Sequence, residues 1–373
     1  MNAGADVIVV GAGIVGAACA MRLAEAGLRV RVLEAGCPAG GATGAGMGHI
    51  CVIDDSAAQF ALTRESQREW AEIAPELPRG AEYARCGTIW LAADDEELAE
   101  ADRKLARHAE LGVPAERVSR ERLRELEPGV RGDLAGALLV PDDAVVYAPV
   151  ATAWMLAQAA ERGAVIDTGR RVIELMPRSV RTADGAVIDA EHVVCAAGLE
   201  SIALVPGLPL RGRKGHLIIT ERGGVSCRHQ LVELAYIKNA HGHSEESVSF
   251  NVQPRRTGQM LIGSSRQYGA STSEVEPRMI RMLIERAVQY MPGLRDLRAI
   301  RCWTGFRAAS PDSLPIIGPH PTRHGLVLAT GHEGLGLTTS LMTARLVAMH
   351  IAGCASAIDH RPYLPSRFAE LNG

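Results

Sequence analysis

An α/β fold, with one parallel sheet and one mixed, largely antiparallel sheet, is what this sequence predicts, and three features predict it. The first is the N-terminal stretch Asp6-Val7-Ile8-Val9-Val10-Gly11-Ala12-Gly13-Ile14-Val15-Gly16, closed by Arg29-Val30-Arg31-Val32-Leu33-Glu34. The second is the return of the same strand-then-glycine pattern in Val193-Val194-Cys195-Ala196-Ala197-Gly198 and Leu326-Val327-Leu328-Ala329-Thr330-Gly331. The third is the change at residues 214–264 to short alternating strands separated by polar turns, which indicates antiparallel pairing.

The first stretch has the order strand, tight turn, helix, strand, acid. Its apolar run 7–10 is short and β-branched, as in a parallel strand buried on both faces. Gly11 permits the sharp turn, Gly13 lets backbone approach a pyrophosphate, and Gly16 lets the helix lie close on the strand. Ile14 and Val15 open that helix, whose free N–H groups and dipole favour an anion. Glu34, followed by Ala35, ends the second strand about twenty residues further on. A carboxylate there accepts hydrogen bonds from ribose hydroxyls and repels a 2′-phosphate, so an unphosphorylated adenosine ribose is implied. A purely structural βαβ turn is the alternative, and the complete series in order argues against it. The motif does not separate NAD from FAD.

After Glu34 the loop Pro38-Ala39-Gly40-Gly41-Ala42-Thr43-Gly44-Ala45-Gly46-Met47-Gly48-His49 is too rich in glycine to hold a core, and its position favours close packing of backbone on a ligand. Ser56 is placed to cap a helix running to about Trp70. Residues 87–92 form a strand, 94–111 a charged amphipathic helix, and 119–126 a shorter helix stopped by Pro128. Pro149 suits the first turn of a helix that reaches Arg162. Strands follow at 164–167 and 170–176, with a hairpin turn at Asp184-Gly185. The strand at 191–197 is expected to rejoin the first sheet beside its first strand. A helix at 276–290, strand-like residues at 299–307, and a long helix at 334–351 complete the chain.

With 373 residues the chain is long enough for two domains, and a net charge of −3 argues against a nucleic-acid partner. Its eight cysteines are scattered without a C-x-x-C pair, which predicts reduced thiols in a cytoplasmic protein, no metal site, and no iron–sulfur cluster. No apolar stretch is long enough to span a bilayer, and the first one lacks the basic flank of a signal peptide. No Ser–His–Asp order or HExxH motif is present.

Taken together, these motifs resemble the FAD-dependent amino-acid oxidoreductases of the D-amino acid oxidase and glycine oxidase type. The resemblance covers nearly the whole chain. Its most diagnostic part is C-terminal: Trp303-Thr304-Gly305-Phe306-Arg307, Pro311-Asp312-Ser313-Leu314-Pro315-Ile316-Ile317-Gly318, and Ala329-Thr330-Gly331-His332 with Gly334-Leu335-Gly336. Local similarity is greatest to bacterial D-hydroxyproline dehydrogenases and to the flavin subunits of opine oxidases and hydrogen cyanide synthase. It rests on Gly46-Met47-Gly48-His49 and on Gly258-Gln259-Met260-Leu261-Ile262-Gly263-Ser264-Ser265-Arg266-Gln267. The implied fold interleaves a Rossmann-like FAD domain (residues 1–80, 144–212 and 305–373) with a substrate domain on a mixed sheet (81–143 and 213–304).

The resemblance also implies residue roles. Arg307 would clamp the substrate carboxylate beside the flavin, a task suited to the planar two-pronged guanidinium; Ala308 follows it where the family usually has Pro. The FAD contacts implied are Gly11, Gly13, Ile14, Val15, Gly16, Glu34, Ala35, Thr43, Gly46, Met47, Gly48, Val172 through its backbone, Ala197, Gly198, Gly305, Arg307, Gly331, Glu333, Gly334, Leu335, Gly336, Leu337 and Thr338. The last of these lead into the final helix, whose N terminus would stabilise negative charge at the N1–C2 side of a reduced flavin. His332, His49, Tyr236, Tyr268 and Gln267 are candidates for the substrate face, with ordinary packing as the alternative for each.

The implied reaction is oxidation of a small amino or imino acid, D-hydroxyproline as the specific expectation, by hydride transfer to flavin N5. The chain has no cysteine spacing for a further redox centre, so electrons would pass to redox partner subunits or another non-oxygen acceptor. A self-sufficient oxidase making hydrogen peroxide, an opine oxidase subunit, an NAD-dependent dehydrogenase and a non-enzymatic scaffold are the competing readings.

Overall fold

The structure is a computed structural model that describes residues 4–234 and 246–371. Two large sheets organise it. The first runs in the order Ile316–Pro319, Leu326–Thr330, Val187–Cys195, Ala5–Val10, Val30–Glu34, Val165–Thr168. The central strand Ala5–Val10 is parallel to both neighbours, with Val9 opposite Val32 on one side and Val194 on the other. The second glycine unit therefore joins the sheet beside the first, as its composition predicts. The third does the same through Leu326–Thr330, which is parallel to Val187–Cys195. Helices Ile14–Glu25, Ala148–Glu161 and Gly336–Ala352 pack together over the first sheet, and Ile14–Glu25 can lie close because Ala17, Ala18 and Ala20 are fully buried and small. The turn at Asp184-Gly185 joins Val187–Cys195 to Ser179–Thr182, a short strand whose Arg and Thr residues give it little apolar signal.

The second sheet runs Ala299–Ala309, Arg211–Thr220, Met260–Tyr268, Glu246–Pro254, Gln230–Glu233, Thr88–Ala92, Gly136–Val140, Glu116–Ser119. Every pair in it is antiparallel except Gln230–Glu233 with Thr88–Ala92. Its far edge, Glu116–Ser119, is mostly exposed and charged, which explains why no alternation marks it in the sequence. Helix starts fall where side chains can cap them. Ser56 accepts from Gln59 N at 3.1 Å, Asp94 from Glu97 N at 2.9 Å, and Ser119 from Arg122 N at 3.2 Å.

The glycine-rich loop after Glu34 bridges the sheets. Ala45 packs on Gly305, where a β-carbon would come within 2.5 Å of it, and Met47 packs on Gly263. Trp303 Nε1 donates to the Ala45 carbonyl at 3.2 Å. All eight cysteines are free, and among the described residues there is no group of side chains able to hold a metal ion. Among those residues no helix is long and apolar enough to cross a membrane.

Near this bridge Asp143 is buried, and its Oδ1 accepts from Val52 N at 3.2 Å and from Gln67 Nε2 at 2.9 Å. Burial pushes its carboxyl up to about 7 against these hydrogen bonds. The native state thus keeps a proton that the unfolded chain loses near pH 4. Its stabilising contribution is full below that pH and declines as pH rises toward 7. Thermal melts are expected to show a falling midpoint over this interval, and Asp143→Asn to flatten that dependence.

Candidate active site

The cofactor half of the site is built at the carboxyl ends of the first sheet. Gly11 has φ +103°, a conformation open to glycine, and a β-carbon there would meet the Ala196 carbonyl oxygen at 2.6 Å. On Gly16 a β-carbon would overlap the Gly11 carbonyl itself. The turn thus leaves its backbone bare toward a ligand, and helix Ile14–Glu25 begins there with glycine at its N-cap and no acidic residue in its first turn. Thr43 Oγ1 accepts from Ile14 N at 3.0 Å and ties the glycine-rich loop to this helix start.

Glu34 is oriented by two backbone donors, Ala12 N and Gly36 N, each at 2.8 Å. A carboxylate has about four lone-pair positions, so acceptor capacity remains for ribose hydroxyls. Arg170 N donates to the Glu34 carbonyl at 2.8 Å, which brings the start of strand Val172–Met176 beside this acid. Gly198, at φ +56°, follows Ala197 at the end of Val187–Cys195, and its carbonyl accepts from Thr330 Oγ1 at 2.9 Å. Backbone-lined turn, oriented acid and a helix start free of acidic residues fit an FAD pyrophosphate and ribose.

The reactive half lies where the last helix meets the second sheet. Gly331 (φ +76°) and Glu333 (φ +50°) bend the chain into helix Gly336–Ala352, which has neither a side-chain cap nor an acid in its first turn. Glu333 N donates to the Ala308 carbonyl at 2.9 Å, fixing this bend on the strand that carries Arg307. Thr338 Oγ1 donates to the His49 carbonyl at 2.9 Å and so links the helix start to the loop Gly46-Met47-Gly48-His49.

Arg307 and Arg213 face each other in register on adjacent strands. Arg307 Nη1 donates to the Ser265 carbonyl at 3.2 Å, and its guanidinium lies against Gly215, where a β-carbon would come within 2.7 Å of Nη2. Gly334 flanks the same side chain: a β-carbon there would sit 3.7 Å from Arg307 Cδ. Arg213 Nη1 pairs with Glu333 Oε1 at 2.7 Å, and its guanidinium lies over the Tyr268 ring, 4.9 Å from the centroid. Burial would raise the Glu333 carboxyl, but the charges of Arg307, Arg213 and Arg266 outweigh it and hold the group below the ordinary range. The cluster is three guanidiniums around one carboxylate.

The other sequence candidates are distributed differently. Tyr268, 40% exposed, is beside the arginine pair. Gln267, its neighbour, points to the opposite face of the sheet, where its Nε2 donates to Glu246 and Glu276 at 3.0 Å, so it does not line the substrate face. His332 is also turned away: it is buried, its Nε2 lies 3.0 Å from Thr343 Oγ1 within the last helix, and burial holds its ring down to about 3. It is a neutral packing residue. His49 sits in the two-residue strand His49–Ile50, and burial holds its ring down to about 4 against a hydrogen bond with Gln253. Tyr236 lies outside the described residues. Arg213 carries no motif of its own; the basic run Arg211-Gly212-Arg213-Lys214 signals it only once the register is known.

Comparison with known proteins agrees with this fold. Glycine oxidase of Geobacillus kaustophilus is 28% identical over 97% of both chains, and its crystal structure superposes with a TM-score of 0.87 at 26% identity, covering 96% of this chain and 98% of that one. Hydrogen cyanide synthase subunit HcnC of Pseudomonas aeruginosa is 27% identical over 99% of this chain and 97% of its own. An opine oxidase subunit of Rhizobium meliloti is 26% identical over 97% of both. The family described as "FAD dependent oxidoreductase" matches residues 6–349, nearly the full length, and the chain belongs to that family of FAD-dependent enzymes.

Proposed function

We propose that this enzyme oxidises the CH–NH group of a small amino or imino acid of the D-proline type, D-hydroxyproline first among them, and delivers the electrons to an acceptor other than oxygen. The observation that carries the reading is Arg307, held against Gly215 and Gly334 at the point where the second sheet meets the uncapped start of the last helix. Its bond to the Ser265 carbonyl sets the plane of the guanidinium for a two-pronged grip on a carboxylate. Arg213, Arg266 and Arg307 against Glu333 leave the cluster positive. That charge draws in a carboxylate and favours a neutral substrate amine over an ammonium, the form from which the α-hydrogen departs. FAD, when bound, takes up that hydrogen and the two electrons. His49 and His332 are both neutral at physiological pH, so neither brings a competing cation to the site.

Two further observations support the finer parts of the reading. The segments 46–49 and 258–267 resemble hydroxyproline dehydrogenases and the flavin subunits of opine oxidases and hydrogen cyanide synthase. Two of the relatives are named as subunits, which favours work alongside partner chains. The similarity to glycine oxidase favours a second reading, a self-sufficient oxidase. Turnover of D-hydroxyproline measured side by side as dye reduction and as hydrogen peroxide decides between them: faster dye reduction with little peroxide is expected, and stoichiometric peroxide at the same rate overturns the dehydrogenase reading.

A further inference from the structure

Between strands Arg211–Thr220 and Met260–Tyr268 the ladder is interrupted beside Arg307. Pairing runs through Arg213–Tyr268 and Lys214–Gln267 and resumes at Ile218–Ile262, so three residues on one strand oppose four on the other. Such a bulge releases backbone groups from the ladder. Two of them are put to use here. His216 N donates to Ser265 Oγ at 2.8 Å, and the Ser265 carbonyl accepts from Arg307 Nη1 at 3.2 Å. Gly215 makes this approach possible, since a β-carbon on it would meet Arg307 Nη2 at 2.7 Å and the Ser265 carbonyl oxygen at 2.9 Å.

The bulge is held from the opposite face of the sheet. His216 and Ser265 are both fully buried. His216 Nε2 accepts from Glu276 N at 3.1 Å, a group that can only donate, so the neutral ring carries its proton on Nδ1. Nδ1 lies 3.1 Å from Ser265 Oγ and donates to it, the second bond this hydroxyl accepts from His216. Burial and the Lys214 charge hold the ring below its ordinary range, against the pull of Glu276, and keep it in that neutral form. Glu276 also accepts from Lys214 Nζ at 2.9 Å and from Gln267 Nε2 at 3.0 Å. One residue at the start of helix Pro277–Tyr290 thus grips both neighbours of Gly215 and the residue paired with Lys214.

We propose that His216 and Ser265 are positioning residues for the guanidinium of Arg307. The imidazole locks the Ser265 hydroxyl, the locked hydroxyl fixes the bulge, and the bulge presents the Ser265 carbonyl where it sets the plane of Arg307. The inference rests on Arg307 as the carboxylate clamp and adds two residues that act through it.

The test is steady-state kinetics of the FAD-loaded variants with D-hydroxyproline and with glycine, read on whichever is oxidised. Ser265→Ala and His216→Leu are each expected to raise KM about tenfold with kcat within about threefold, since the carboxylate is gripped less well and the flavin chemistry is untouched. The two variants are read independently, so failure of one to fold leaves the other as the test. Two comparisons separate positioning from packing. His216→Asn keeps a donor at the Nδ1 position and should hold KM closer to the wild type than His216→Leu does, although Leu matches the buried volume better. In an Arg307→Ala background Ser265→Ala should add less than about twofold to KM, because the residue it acts through is gone. Unchanged KM in Ser265→Ala and His216→Leu, beside a raised KM in Arg307→Ala, overturns the positioning role and leaves the clamp standing. A KM unchanged in Arg307→Ala overturns the clamp itself. An undiminished effect of Ser265→Ala in the Arg307→Ala background, or a higher KM for His216→Asn than for His216→Leu, also overturns the proposal.

Discussion

Arg307→Ala is expected to lower kcat/KM for the acid substrate by roughly a hundred- to a thousandfold, the scale of losing a charge-assisted two-pronged contact of ~3–4 kcal/mol. FAD content should stay near that of the wild type, because the cofactor turn, Glu34 and the last helix do not depend on the Arg307 side chain for their backbone hydrogen bonds. Arg307→Lys should fall between the two, since an ammonium keeps the charge but not the planar fork. The sharper readout is a substrate analogue. With the carboxylate converted to an amide, the wild type should lose most of its rate and Arg307→Ala little more. A wild type indifferent to that change would remove Arg307 from the role of clamp. The loss has a structural side as well, because removing one guanidinium leaves Glu333 facing less compensating charge; the amide comparison separates that from substrate binding.

Gly16→Ala should remove FAD rather than substrate. An added β-carbon overlaps the Gly11 carbonyl oxygen, a backbone atom in the tightest part of the turn that has no flexible end to swing aside. Either helix Ile14–Glu25 moves off the strand or the Gly11 turn opens, and in both cases the bare backbone facing the pyrophosphate is lost. Strain of this kind costs ~1–3 kcal/mol before any ligand contact is counted. The expected result is protein that folds with a lowered melting temperature and purifies colourless. Gly27→Ala is a suitable control at the far end of the same helix, since nothing lies within 4 Å of a β-carbon there although φ is +83°; it should lose some stability and keep its flavin.

What can be read from the sequence is what local chemistry dictates. The glycine turn, the acid at Glu34, the cap at Ser56 and the helix starts near Asp94 and Ser119 each follow from a few adjacent residues, and each is found in place. The second and third glycine units can be assigned to the first sheet because buried parallel strands have few other uses for such runs. The second sheet is legible only around residues 214–264; Thr88–Ala92, Gly136–Val140 and Glu116–Ser119 join it from far away in the chain, through pairings no local pattern encodes. The site shows the same division. Arg307 is visible through its motif, but Arg213 becomes a site residue only through its register opposite Arg307. Gln267 and Tyr268 illustrate the limit most simply: both are candidates for the substrate face from the sequence, yet adjacent residues on a strand point to opposite faces. His332 lies in the right loop, yet Thr343, eleven residues on, draws its ring into the helix.

The central claim is that FAD held by the first sheet is reduced by a small amino or imino acid anchored at Arg307. Anaerobic titration of the purified protein with D-hydroxyproline, followed through the flavin absorbance, tests it most directly. The account predicts an oxidised flavin spectrum that bleaches with wild-type protein and at far higher substrate concentration with Arg307→Ala. A flavin that stays oxidised with D-hydroxyproline and with every small amino or imino acid offered, or that bleaches equally well in the variant, would contradict it.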